Sequence, residues 1–112
     1  MKAVVQRVSG AKVTIDGTKE NGPIGQGLVV LLGVISGDGI EQAAFLAKKI
    51  TGLRIFTDEN GKQNLSLKDI GGEMLIISNF TLAADCSHGN RPFYGGAAAP
   101  DKANRLYQDF IR

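Results

Sequence analysis

The sequence predicts an α+β fold: a mainly antiparallel sheet curled towards a barrel, with two helices. Three observations carry that expectation. Short apolar runs, alternating or rich in β-branched residues, are separated by glycine turns of the hairpin kind. Two segments, and only two, place apolar residues at helical spacing. The early strands are joined by turns too short for the helical crossovers of a parallel sheet.

Residues 1–9 read as a first strand. Residues 11–16 form a second, with Lys12, Thr14 and Asp16 alternating against Val13 and Ile15. Asp16-Gly17 is a hairpin signal, because glycine tolerates the positive backbone angles such turns need. Asn21-Gly22-Pro23 marks another turn. The run 27–34, GLVVLLGV, suits a strand buried on both faces. Asp38 with Glu41 resembles a capping box at the start of a helix. The apolar stripe behind it is Ile40, Ala43, Ala44, Ala47 and Ile50, and Gly52 is placed to end it in the left-handed conformation. Residues 53–57 form a short strand, and Asp58-Glu59-Asn60-Gly61 is a turn. After Gly71-Gly72 a strand runs over residues 73–80. A polar, glycine-rich loop covers roughly 82–100. A last helix then lines up Ala103, Leu106, Tyr107, Phe110 and Ile111.

Composition excludes several classes. The 112 residues fit one domain, and 43% hydrophobic with 21% charged residues is ordinary for a globular chain. No apolar run approaches the ~20 residues that cross a bilayer. The start becomes polar too soon for a secretion signal, and a single cysteine, Cys86, cannot form an internal disulfide, so the cytosol is expected. A net charge of +2 from scattered lysines and arginines lacks the basic stripe of a protein held by many phosphates. If RNA is bound, its recognition is local and guided by shape.

The candidate chemistry is sparse. His88, the only histidine, stands near Asp85, Cys86 and Ser87. Catalytic pairs usually converge from separate segments, so solvated loop residues are the better reading than a Cys or Ser nucleophile. One Cys and one His do not make a zinc set, and no metal or other cofactor is expected. The glycines at 22, 25 and 27 and the pair Gly61-Lys62 match neither a dinucleotide fingerprint nor a phosphate loop. The stretch Ser78-Asn79-Phe80-Thr81-Leu82 differs, because an apolar strand there ends in hydroxyls, an amide and an aromatic ring. If strand geometry persists, Ser78 and Phe80 face one way, Asn79 and Thr81 the other. Two readings stand: a strand end with satisfied hydroxyls, or a substrate site with oxyanion donors. Gly89-Asn90-Arg91-Pro92-Phe93 adds a cation and a ring, in a surface loop or beside that site.

Taken in order, several segments resemble D-aminoacyl-tRNA deacylases: 1–8, 11–17, 24–34 and 53–56, then 61–67. Ser78-Asn79-Phe80-Thr81-Leu82, Asp85, Gly89-Asn90-Arg91-Pro92, Ala97-Ala98 and Leu106-Tyr107 continue the resemblance. It implies a homodimer with active sites at the subunit interface, acting on the ester of a D-amino acid, and of mischarged glycine, with tRNA. It also implies that Ser78, Phe80 and Thr81 match a Ser-Gln-(aromatic or Thr)-Thr motif holding the terminal adenosine, with Asn79 where glutamine is usual. Backbone N–H groups near Phe80 and Thr81 are then expected to bind the ester oxygen, with Ser78 and Thr81 orienting water or ribose and Arg91 contacting substrate. Thr81 as a covalent nucleophile is the alternative, and no adjacent base is visible in sequence to activate it. The family continues beyond residue 112 into strands carrying an Asn-x-Gly-Pro-Val-Thr motif that rejects L-amino acids. The resemblance therefore implies a single domain, residues 1–112, without those strands: either a truncated version, or one whose chiral filter is absent or supplied differently, and impaired D-selectivity is the expectation. A non-catalytic module that binds tRNA ends is the rival from another class.

Overall fold

The computed structural model describes residues 1–15, 19–84, 87, 90–92 and 94–111, and for residues 15 and 19–22 the backbone alone. Among the described residues, seven strands and two α-helices occur in the order β1 Lys2–Val8, β2 Ala11–Ile15, β3 Lys19–Ile24, β4 Gly27–Gly33, α1 Ile40–Gly52, β5 Phe56–Thr57, β6 Gln63–Leu65, β7 Glu73–Ser78, and α2 Pro100–Ile111. A 3-10 turn, Phe80–Ala83, follows β7. The fold class is α+β as expected. The strands make one three-stranded sheet, β1-β4-β7, and two antiparallel hairpins, β2-β3 and β5-β6. None of these sheets closes on itself among the described residues, so the expected curl towards a barrel is not met by a closed sheet.

The chain divides into two compact units. One comprises Met1–Val4, Leu31–Lys48 and Ile77–Arg112; the other comprises Val5–Val30 and Lys49–Ile76. The second unit is built around Leu28, Val30, Ile50, Phe56, Leu67 and Leu75. Within it Gly27 permits a close approach: a Cβ there would lie 1.7 Å from the Glu73 carbonyl oxygen. Glu73 N–H donates to the Gln26 carbonyl at 3.2 Å, so β7 begins against that glycine. The Arg7 guanidinium donates to the Ile55 carbonyl at 2.8 Å. The first unit packs on Leu32, Val34, Ala43, Ala83, Leu106 and Phe110. In α2 Leu106 and Phe110 point inwards one turn apart, each contributing about 1.5–3 kcal/mol by burial. Pro100 opens that helix, at a position where its missing N–H costs nothing.

Several local expectations are corrected. Asn21-Gly22-Pro23 is part of β3, because a register shift opposite residues 11–13 absorbs the extra residue and, among the described residues, β3 pairs only with β2. Proline is tolerated at such bulges and edges. The Asp16-Gly17 turn lies outside the described residues. Strand β5 is only Phe56–Thr57. The capping pair is shifted by one: Gly39 N–H donates to Gln42 Oε1 at 2.8 Å, and Asp38 and Glu41 do not form the box. On α1 the buried positions are Ala43 and Ile50, while Ile40 and Ala44 are exposed. Gly52 is the last helical residue and does not take a positive φ, the turn closing through Leu53 N–H to the Ile50 carbonyl. Strand β7 ends at Ser78 and does not reach Phe80.

Candidate functional site

The site begins where β7 stops. Asn79 keeps extended angles, φ −147° and ψ 104°, and its side-chain oxygen accepts the Thr81 N–H at 3.0 Å. A short polar side chain in this position satisfies one of the N–H groups that the start of a helical turn leaves without a partner. The chain therefore leaves strand geometry and winds into the 3-10 turn Phe80–Ala83, so the alternating facing expected for residues 78–81 does not arise. Asn79 N–H donates to the Leu32 carbonyl at 2.8 Å, fixing the turn to the end of β4. Gly33 makes that possible: a Cβ there would stand 2.8 Å from Leu82 Cβ and 3.2 Å from the Asn79 carbonyl oxygen. Sequence reasoning missed Gly33, although a glycine inside an apolar strand is itself a signal of close backbone approach.

Thr81 also donates its hydroxyl to the Asn79 side-chain oxygen. That bond uses the Thr81 proton and leaves both hydroxyl lone pairs able to accept from water or a ribose hydroxyl. An amide oxygen is not a base, so nothing in this contact activates Thr81 as a nucleophile. Phe80 opens the turn, where an N–H has no partner inside it. Its ring is 60% exposed and meets Tyr94 edge-to-face, with centroids 5.2 Å apart and planes at 68°.

Ser78, Phe80 and Tyr94 line a cavity of about 610 Å³ whose remaining wall is small: Ala97, Ala98, Ala99, Pro100 and Ala103, with Asn104 adding an amide. Tyr94 and the alanine wall were not singled out from sequence as site residues; a run of alanines carries no chemistry until it faces a cavity. The wall is held by backbone bonds. Ala98 N–H donates to the Val34 carbonyl at 2.9 Å, Ser36 N–H donates to Gly96 at 3.0 Å, and Ile35 bridges Ala97. Among the described residues, other hollows lie beside Met1 and Phe45 and beside Arg7 and Gln26. Neither combines a ring pair with hydroxyl and amide groups, the mixture expected of a small-ligand site.

Of the sequence candidates, the structure brings Ser78, Asn79, Phe80 and Thr81 together at one strand end. Arg91 is exposed and is not among the residues lining the cavity. Cys86, His88, Asp85, Gly89 and Phe93 lie outside the described residues. The described lining contains no carboxylate, imidazole, thiol or ammonium group. No cluster of three His, Cys, Asp or Glu residues able to hold a metal occurs among the described residues. No described helix is long and apolar enough to cross a membrane.

What this arrangement can do is bind a flat ring and a polar ester beside neutral donors. The backbone is shared with solved structures. A c-Myc DNA unwinding element binding protein matches with a TM-score of 0.89 and 40% identity, over 99% of this chain and 74% of that one. A probable eukaryotic D-amino acid tRNA deacylase, only 17% identical, shares the fold with a TM-score of 0.82 over 96% of this chain and 63% of that one. D-aminoacyl-tRNA deacylases of Desulfatibacillum aliphaticivorans and Geobacter sp. (strain M21) are 55% and 56% identical, each over 99% of this chain. This chain spans 75% and 74% of their lengths. The model of the D-Tyr-tRNA(Tyr) deacylase family matches residues 4–112, and the chain belongs to that family.

Proposed function

We propose that this chain hydrolyses the ester between a D-amino acid and the 3′-terminal adenosine of tRNA, a proofreading reaction of translation in the cytosol. The observation that carries the reading is the cavity at the end of β7, lined by Ser78 and by Phe80 of the Asn79-capped turn and without a charged side chain among its described residues, in a member of this family. In hydrolysis, a water oxygen attacks the ester carbonyl carbon, the bond from that carbon to the ribose oxygen breaks, and the ribose oxygen takes a proton. An aminoacyl ester is already activated, so positioning and oxyanion stabilisation supply the acceleration without an ionisable base.

In this reading Phe80 N–H points at the developing oxyanion. Thr81 N–H joins it when Asn79 Oδ1 turns aside. The Thr81 and Ser78 hydroxyls orient water or the ribose, and the Phe80 and Tyr94 rings offer a face on which adenine stacks, the usual way proteins hold an unpaired RNA base. Arg91, outside the cavity, contacts the phosphate backbone beyond the terminal nucleotide. The chain acts as a single deacylase domain in a homodimer with its sites at the interface. The exposed Val4, Ile40 and Phe45 of the first unit, Phe45 at 69%, supply apolar surface for a second copy. Mischarged glycine is a further substrate.

The test is deacylation of matched D- and L-tyrosyl-tRNA and of glycyl-tRNA by the purified chain with a chelator present. Release from the D-ester supports the reading; release from both D- and L-esters gives the same pocket without chiral selection. Tight binding of charged tRNA without turnover would replace it with the rival binding module. Cys86→Ala leaves the rate unchanged, whereas a Cys86/His88 hydrolase would lose it.

A further inference from the structure

Asp38 is released from the capping role its sequence position suggests and is spent elsewhere. It is 8% exposed. Its Oδ1 accepts from the Met1 α-ammonium at 2.7 Å, and Oδ2 lies 2.6 Å from the same nitrogen. Oδ2 also accepts the Ile35 N–H at 2.8 Å, while Asp38 N–H donates to the Ile35 carbonyl at 2.9 Å. Burying a carboxylate is costly unless it is paired and hydrogen-bonded, and here one ammonium and one backbone donor provide both.

What the pair fixes is the segment that carries the cavity wall. Ser36 gives its N–H and its hydroxyl to the Gly96 carbonyl, at 3.0 and 2.9 Å. Ala98 N–H reaches the Val34 carbonyl, Ile35 bridges Ala97, and Lys102 donates to the Ser36 carbonyl. A continuous series of bonds thus runs from the Met1 nitrogen through Asp38 and residues 34–36 to residues 96–98, all within one compact unit. We infer that Asp38, paired with the Met1 α-ammonium, is a positioning residue for the Ala97–Ala98 wall, and that acylation of that amine loosens the wall and weakens substrate binding. Acylation removes the positive charge and leaves the Asp38 carboxylate buried without its ionic partner. The inference rests on the cavity being the deacylation site.

The experiment uses four 112-residue chains: the parent, the same chain synthesised with Nα-acetyl-Met1, Asp38→Asn, and the two changes combined. Amide hydrogen exchange at Ser36 and Ala98 is compared with exchange at Leu106 in α2, and KM and kcat are measured on D-tyrosyl-tRNA. Each single change is expected to speed exchange at Ser36 and Ala98 by about tenfold or more while Leu106 holds. KM should rise about fivefold with kcat within about twofold, since the wall binds substrate and does not touch the reacting bond. The combined chain should be no worse than the worse single change, because both remove the same interaction. Unchanged exchange in the acetylated chain overturns the inference, even if Asp38→Asn fails to fold. Faster exchange with an unchanged KM overturns the positioning role, and additive effects overturn the pairing. Absence of turnover in the parent counts against the deacylase reading alone, and exchange then decides whether the amine holds the wall.

Discussion

At the scale of single residues, the site depends on which groups at the end of β7 are already engaged. Thr81 N–H and hydroxyl are both held by Asn79, whereas Phe80 N–H opens the turn. Ring and amide at Phe80 can therefore be separated. Phe80→Ala keeps the N–H and deletes the stacking face, so KM should rise. Phe80→Pro deletes the N–H at the first position of a helical turn, where proline is tolerated, behind a residue already in extended angles. Its kcat should fall about 10²-fold, the usual loss for one oxyanion donor. Equal kcat in the two variants would remove Phe80 N–H from the mechanism. Asn79→Ala should cost about 0.5–2 kcal/mol in urea unfolding through the lost cap. The residue types of this candidate site were legible in sequence, since hydroxyls and an amide end an apolar run. Their contacts were not, because the partner of Thr81 depends on the turn that Asn79 starts.

At the scale of elements, close approach and capping decide stability. Gly33→Ala would set a methyl 2.8 Å from Leu82 Cβ, against a turn already tied to Leu32. Thermal unfolding should register a loss of about 1–3 kcal/mol, the common cost of overpacking, and deacylation should fall with it. The β5-β6 hairpin carries an acid dependence. Asp58 is held below the ordinary carboxylate range chiefly by the Lys62 N–H, with the Asn60 N–H and Asn64 side chain assisting. Asp69 is lowered by the Ser66 N–H, then by the Ser66 hydroxyl. A depressed folded pKa means the contribution is complete above the unfolded value of about 3.9 and is lost as pH falls through the folded value. The thermal midpoint should therefore drop on acidification below about pH 4, less steeply in Asp58→Asn. The early hairpin shows why element boundaries escaped the sequence: Gly22-Pro23 spells a turn locally, but the bulge opposite residues 11–13 carries it inside β3.

At the scale of the whole molecule, sedimentation should give two chains per particle, and Phe45→Lys, placing a charge where an apolar ring is 69% exposed, should shift that equilibrium towards single chains. A monomeric parent with full activity would sink the proposed interface site. The sequence alone determined the α+β class, the central apolar strand and both described α-helices, and it singled out the segment of the candidate site. Periodicity and turn residues are local, and local signals survive without the fold. Only the tertiary structure decided that strand geometry stops at Ser78, that Asp38 faces an ammonium in place of a helix end, and that a run of alanines faces Phe80 and Tyr94. Those outcomes depend on which distant backbone arrives beside each residue. Gly33 opens the way for the turn, residues 34–36 take up the alanine wall, and no stretch of neighbouring sequence specifies either meeting.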